Sequence, residues 1–206
     1  STISLACEAL LDESVIKSPA MATNFIGMIN AENKRLGVLV ENALRTAVLE
    51  RGQLVLKKDI HDINRICSEA ASNVKLLAEQ NQSQIKLELS KESLQASIDK
   101  VHFTNVIYNL LDNAIKYSGT QALIKIKTLK KGDNIIIKVI DNGPGMDEQT
   151  RKRVFEPFFT TKDIGEGTGL GLSISFAIIE AHGGEMDANS TIGVGTTFIL
   201  KFPIKA

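Results

Sequence analysis

DKVHFTNVIYNLLDNAIKYSG, residues 99–119, reads as an amphipathic helix with an unusual polar face. Asp99 is placed to cap its start, and Phe103, Val106, Ile107, Leu110, Leu111 and Ala114 form one buried stripe down to Ser118-Gly119. On another face Asn105, Asn109 and Asn113 follow one another at intervals of four, so their side chains line up. Asparagine offers a neutral carbonyl to a hard divalent cation, and Mg²⁺ commonly keeps several waters while bridging such a ligand to nucleotide phosphates. A row of asparagines is equally at home on a solvated surface, so the helix alone leaves both readings open. Lys116 and Tyr117 close it, where a cation and an aromatic hydroxyl can reach phosphate oxygens or the edge of a nucleotide.

Outward from this helix the pattern is that of a mixed helix and sheet domain. Strands are predicted at 54–57, 84–89 and 94–98, and again at 122–129 and 134–140 around a Lys131-Gly132-Asp133 turn. A helix is predicted over 60–79, another over 170–182, and last strands near 184–190 and 194–202. The strand 135–140 runs straight into Asp141-Asn142-Gly143-Pro144-Gly145. A buried strand end that delivers one carboxylate can hold Asp141 against an adenine amino group, while Gly143 and Gly145 let the backbone approach the ring. An ordinary Asp/Gly turn has the same composition. Further on, Gly165-Glu166-Gly167-Thr168-Gly169-Leu170-Gly171-Leu172 leads into an apolar helix, and free amides at a helix start make a local anion site. This loop lacks the Lys-Ser/Thr ending of a Walker loop and the strand and terminal acid of a dinucleotide fingerprint. Between these pieces Phe155-Glu156-Pro157-Phe158-Phe159 reads as an amphipathic flap, flanked by Arg153 and Lys162, which could screen a terminal phosphate or simply be solvated. Gly193-Val194-Gly195-Thr196-Thr197 is a turn feeding the last strand, with Thr197 a candidate for a hydroxyl beneath the base.

Composition narrows the classes. Apolar residues make up 43% and charged residues 23%, which argues against disorder, and 24 basic residues cancel 24 acidic ones, leaving no global field to recruit nucleic acid. Any anion site is therefore local. Cys7 and Cys67 have no Cys-x-x-Cys spacing and suggest neither a metal knuckle nor a redox pair. No run of 18 apolar residues occurs, and a cytoplasmic setting is expected. Residues 2–14 have a helical apolar pattern, and from about 20 to 50 Phe25, Ile29, Leu36, Leu39, Val40, Ala43 and Ala47 form a stripe on a helix of ~45 Å ended near Gly52. The short segment ahead of it cannot cover that stripe, so a four-helix arrangement from two chains is inferred; a long helix lying on its own domain is the alternative. The division is a helical hairpin over 1–51 and an α/β domain over 52–206.

The order Asn109-Leu110-Leu111-Asp112-Asn113-Ala114-Ile115-Lys116-Tyr117-Ser118, Asp141-Asn142-Gly143-Pro144-Gly145, Phe155-Glu156-Pro157-Phe158-Phe159 and Gly167-Thr168-Gly169-Leu170-Gly171-Leu172 closely resembles the N, G1, F and G2 boxes of the sensor histidine kinases of two-component systems. Glu32, Arg35 and Leu36 resemble the second helix of that family's dimerisation domain. The resemblance implies an α+β chain: an antiparallel helical hairpin, half of a dimeric four-helix bundle, then a two-layer α/β sandwich of the Bergerat ATP-binding type. It implies ATP and Mg²⁺ as cofactors. Asp141 would recognise adenine, Asn113 would coordinate Mg²⁺ with Asn109 assisting at metal and phosphates, and Lys116 and Tyr117 would line the nucleotide. Gly167, Gly169 and Gly171 would form the lid hinge, with Gly143, Gly145, Phe158, Thr168, Leu170 and Thr197 completing the nucleotide site and Arg153 and Lys162 touching phosphate from the lid. Related ATPases carry a glutamate at the position of Asn109 to activate water; asparagine has no useful protonatable group, so phosphoryl transfer to histidine is favoured over hydrolysis.

The family's phosphoacceptor motif, His-Glu/Asp-x-x-Thr/Asn-Pro, is not present in the 206 residues; His61, His102 and His182 lie in other contexts, and Ser1-Thr2-Ile3 resembles the residues just after that motif's proline. The expectation is a fragment that binds ATP, from a parent that transfers the γ-phosphoryl group to an upstream histidine and on to an aspartate of a response-regulator receiver domain. The implied partners are a second copy through the hairpin, that receiver and an upstream sensor module, which in the parent can be anchored in the inner membrane. Two rival readings are a nucleotide-responsive scaffold without chemistry and an ATP hydrolase of the chaperone or repair type.

Overall fold

A computed structural model of the chain describes residues 2–12, 15, 17–33, 55–161 and 168–204. The chain divides into two units, Ser1–Gly52 and Gln53–Ala206. In the first, α1 spans Thr2–Ala9, and a second helix, α2, is described over residues 19–33. Pro19 opens α2, where a missing N–H costs nothing, and Thr23 Oγ1 donates to the Pro19 carbonyl at 2.7 Å. The expected continuation through Arg35, Leu36, Leu39, Val40, Ala43 and Ala47 to Gly52 lies outside the described residues, as do Lys162, Gly165, Glu166 and Gly167.

The second unit begins with β1 at Asp59–Asp62 rather than at 54–57. Asp62 then caps a helix by accepting from the Asn64 N–H at 2.8 Å. The predicted single helix over 60–79 is two, α3 (Ile63–Asn73) and α4 (Lys75–Gln80), broken at Val74, whose φ of −98° and ψ of 2° leave the helical region. There follow β2 (Gln84–Glu88), β3 (Gln95–Ile98), α5 (Lys100–Tyr117), β4 (Leu123–Lys131), β5 (Asn134–Ile140), α6 (Glu148–Arg153), α7 (Gly171–Ala181), β6 (Glu185–Thr191) and β7 (Gly195–Pro203). Helix α6 lies in a region with few signals in the residue pattern; its N-cap is Asp147, accepting from Thr150 N–H at 2.7 Å.

Strands β1 and β3 form a small antiparallel ribbon, and the main sheet has the order β2-β4-β5-β7-β6. Within it β2 runs parallel to β4, and the other neighbours are antiparallel. Alternation along the strands sends Ile124, Ile126, Ile135, Ile137, Val139, Phe198 and Leu200 to one buried face. Against it lie the helices, with Phe103, Ile107, Leu110 and Leu111 of α5 all at most 1% exposed. Each such side chain contributes about 1.5–3 kcal/mol by leaving water. Phe103 packs edge-on against Phe202 at 5.3 Å and His182 at 5.9 Å. Cys67 is buried in the same unit, and burial pushes its thiol up to about 12, so it acts as a small apolar residue. The other face of the sheet presents lysines in register: Lys86 stands opposite Lys125, and Lys127 opposite Lys138. Among the described residues no helix is long and apolar enough to cross a membrane.

Candidate functional site

Three ends converge on one side of the sheet: the C-terminal half of α5, the end of β5, and the start of α7. The carboxylate of Asp141, just beyond β5, accepts from the Gly143 N–H at 2.9 Å and from the Thr196 N–H at 3.2 Å. Burial pushes its pKa up, and the donors from Gly143, Thr196 and Ser118 oppose that push. The loop after it is shaped by glycines. A Cβ on Gly143 would lie 2.8 Å from Ser118 Oγ and 3.0 Å from Asp141 Oδ1, so only glycine lets helix α5's end and the carboxylate approach so closely. Gly145 has φ of 69° and would drive a Cβ into the Thr191 carbonyl, which ties this loop to the β6–β7 turn. The Gly193 N–H closes the same junction on the Pro144 carbonyl at 2.7 Å.

On α5, Asn109 and Asn113 are half-buried while Asn105 is exposed, which separates the two from the third member of the row. Asn109 donates from Nδ2 to Ser175 Oγ of α7 at 3.0 Å. Its Oδ1 lies 2.6 Å from where a Cβ on Gly171 would stand, so the glycine at the start of α7 is what lets the two helices meet there. Lys116 is ion-paired to Asp112 one turn earlier, and its side chain and that of Tyr117 are exposed at the helix end. Leu170 is buried and caps α7, and Ser173 donates to its carbonyl at 2.9 Å. Thr168 is exposed ahead of it.

The aromatic segment is tied to the glycine loop through the backbone. Phe158 has φ of 66° and donates its N–H to the Gly169 carbonyl at 3.0 Å; its ring is half-exposed. Phe155 turns inward, its ring 5.3 Å from Phe176 on α7 and 6.3 Å from Phe198 on β7. Arg153 is paired with Glu156 at 2.9 Å and lies 4.5 Å over the Phe159 ring, so its guanidinium is engaged within the segment. Thr196 and Thr197 face opposite sides of the last strand. Period-two alternation turns Thr196 toward the helices, where its backbone N–H meets Asp141, and turns Thr197 to the opposite face. There Thr197 lines a groove of about 890 Å³ with Lys125, Ile140, Asp141, Arg151 and Asn189.

Thr196, Ser118 and Ser175 stand against the predicted site residues Asp141, Gly143 and Asn109, and sequence reasoning passed them over. Thr196 was legible in principle, since counting alternate residues back from Phe198 puts it on the inward face. No local signal marks Ser175. A further buried pair sits at the far end of the same helices: the Asp99 N–H donates to His182 Nε2 at 2.9 Å, and the ring's Nδ1 meets the Ile178 carbonyl at 2.7 Å. That pattern fixes a neutral ring protonated at Nδ1, and burial holds its pKa below the usual histidine value. Asp99 caps α5 through His102 N–H and also accepts from the Lys57 N–H at 2.9 Å.

Among the described residues no group of three or more His, Cys, Asp or Glu side chains could hold a metal. Any cation would depend on amide oxygens and on phosphate, which is a donor set suited to Mg²⁺ and poor for zinc. The half-buried asparagines and the glycine start of α7 beside Asn109 fit such an ion carried in by a nucleotide.

Comparison with known proteins agrees with this fold. The family model for histidine kinase-, DNA gyrase B- and HSP90-like ATPases matches residues 98–206, more than half of the chain. The sensor protein RprX of Bacteroides fragilis is 35% identical over 211 residues, covering 99% of this chain and 40% of RprX. The sensor protein KdpD of Clostridium acetobutylicum is 30% identical over 202 residues, covering 96% of this chain and 22% of KdpD. The chain thus spans less than half the length of either relative. Among solved structures, the catalytic domain of the histidine kinase ThkA superposes with a TM-score of 0.66 at 29% identity, covering 72% of this chain and 97% of that one. ThkA in complex with the response regulator TrrA aligns with a TM-score of 0.70 at 25% identity, covering all of this chain and 58% of that one. With a Bergerat-type ATP-binding domain preceded by a helical segment, the chain belongs to the histidine kinase-like ATPase family and, within it, to the sensor histidine kinases.

Proposed function

We propose that the chain is the ATP·Mg²⁺-binding core of a sensor histidine kinase whose longer form transfers the γ-phosphoryl group of ATP to a histidine and then to an aspartate of a response-regulator receiver. The observation that carries this reading is Asp141, a half-buried carboxylate oriented by two backbone donors beside the end of the asparagine helix. It accepts from the adenine amino group, and Gly143 and Gly145 keep that wall thin. Asn113, with the Asn109 carbonyl beside it, holds Mg²⁺ at the phosphates. Thr168, Gly169, Leu170 and Gly171 present backbone amides to the phosphate chain at the start of α7. Phe158 and Gly167 belong to the lid, Lys116 and Tyr117 to the rim, and Arg153 and Lys162 make weak lid contacts with phosphate. Thr197 lines the groove beside Asp141, and Thr196 holds the carboxylate through its backbone N–H.

When bound, Mg²⁺ supplies charge neutralisation at the transferred phosphoryl group. The chain's own part is orientation: it fixes the base at one end, the amides at the other, and offers no carboxylate at Asn109 to activate water. The acceptor is a histidine from another segment of the protein. None of the three in the chain suits the role: His182 is buried and bonded at both nitrogens, His102 sits against Asp99, and His61 lies in strand β1. Residues 1–51 serve as the dimerisation hairpin, pairing with a second copy, and 52–206 as the catalytic domain; an upstream sensor module completes the protein, and this core works in the cytoplasm.

A phosphotransfer assay with labelled ATP and a separate helical substrate carrying the family's histidine motif tests the reading. Label on the histidine supports it. Free phosphate alone points to hydrolysis, and tight nucleotide binding without either product points to a scaffold.

A further inference from the structure

We infer that Ser175 is a positioning residue that sets which atom of the Asn109 side chain serves the metal. The inference rests on the nucleotide reading of the site given above. A carboxamide has two chemically opposite ends: its oxygen can ligate a cation, and its NH₂ can only donate. Left to rotate, Asn109 would offer either end. In this chain the NH₂ is committed, donating to Ser175 Oγ across 3.0 Å between α5 and α7. Ser175 is 2% exposed, so water does not compete for that bond.

The consequence falls on Oδ1. With Nδ2 held by α7, the carbonyl oxygen is the nearer end to the first residue of that helix, 2.6 Å from where a Gly171 Cβ would be against 3.1 Å for Nδ2. Oxygen is therefore the uncommitted end of the amide where the glycine loop meets the helix. The Ser175 hydroxyl touches neither nucleotide nor metal; it acts through Asn109.

Threonine and valine at position 175 differ by a hydroxyl at nearly constant volume, so the pair separates the hydrogen bond from packing. Calorimetry of Ser175→Thr and Ser175→Val with ATP, with and without Mg²⁺, reads the effect. Ser175→Val is expected to bind Mg·ATP about tenfold more weakly than Ser175→Thr, the size of one neutral hydrogen bond. Mg-free ATP affinity is expected to match in the two variants, because only the metal requires the oxygen. In an Asn109→Ala background the Thr/Val difference disappears. Equal Mg·ATP affinities, a loss equal with and without Mg²⁺, or a difference that survives Asn109→Ala would each overturn the inference. If the unaltered protein binds no Mg·ATP at all, it is the nucleotide reading that fails, and the inference falls with it.

Discussion

Phe158 and Gly169 are joined backbone to backbone, N–H to carbonyl at 3.0 Å, and both carry positive φ, 66° and 65°. The bond staples the aromatic segment to the glycine loop. It exists only because Gly169 lacks a side chain: a Cβ there would lie 2.5 Å from the Phe158 carbonyl carbon.

Gly169→Ala therefore meets both a strained backbone and a clash with backbone atoms that cannot swing aside. A loss of about 1–2 kcal/mol is expected. At this chain length it lowers Tm by roughly 2–8 °C. Scanning calorimetry checks the first effect, and a matching drop in ATP affinity checks the coupling to the site.

Asp141→Asn keeps the size of the side chain and removes its charge. It is expected to weaken ATP about 30-fold, the range of a hydrogen bond to a charged acceptor, while GTP and ITP lose less because they lack the adenine amino group. Equal losses for all three purine triphosphates would remove Asp141 from base recognition. The raised pKa of Asp141 adds a pH signature. ATP affinity in the unaltered protein should fall on acidification through a pKa above 3.8, and in Asp141→Asn that fall should vanish.

Asn113→Ala tests the metal side. Mg²⁺-dependent strengthening of ATP binding should be lost while the Mg-free affinity holds. An unchanged Mg²⁺ response would take Asn113 out of the metal's shell.

His182 predicts a pH dependence of stability with a defined sign. Burial lowers its folded pKa beneath 6.5, with Lys58 and His102 adding to that and Asp99 and the Ile178 carbonyl opposing it. The unfolded chain therefore binds the proton first as pH falls. Stability is complete above pH 6.5 and declines below it, since protonation at Nε2 breaks the bond from Asp99 N–H. Urea midpoints between about pH 8 and 5 should fall accordingly, and His182→Gln should flatten the slope. Asp99 acts in a lower window. Its burial disfavours the charge, but the N–H groups of His102 and Lys57 outweigh this and hold it at about 2, so its contribution is lost only between pH 3.8 and about 2.

Much of this was legible in the sequence, for physical reasons. The asparagine helix was readable because its cap, apolar stripe and Ser118-Gly119 end agree, and it forms over Lys100–Tyr117. The glycines at 143 and 169 stand out in the residue pattern, but their close neighbours, Ser118 and Phe158, do not, because both contacts are made across the fold. The break at Val74 was not, because Ile63 through Leu77 keeps helical periodicity across it and only tertiary packing decides there. Strand β1 was misplaced by a few residues because a four-residue strand of Asp, Ile, His and Asp has no alternation to read; its partner β3 creates it. Helix α6 escaped because six residues with no buried side chain make no stripe. The Asn109–Ser175 bond spans 66 positions and leaves no local trace.

The lysines that face one another across the main sheet's strands, Lys86 with Lys125 and Lys127 with Lys138, place a like-charge repulsion on the sheet that dissolved salt can reach. Glu88 relieves Lys127, at 3.4 Å. Like charges directly across a ladder repel, and dissolved ions screen such repulsion over about 8 Å at roughly 0.15 M. Moderate sodium chloride should therefore relieve the repulsion within this sheet while it weakens surface ion pairs such as Lys116–Asp112 and Arg153–Glu156, so that the two effects oppose one another in Tm.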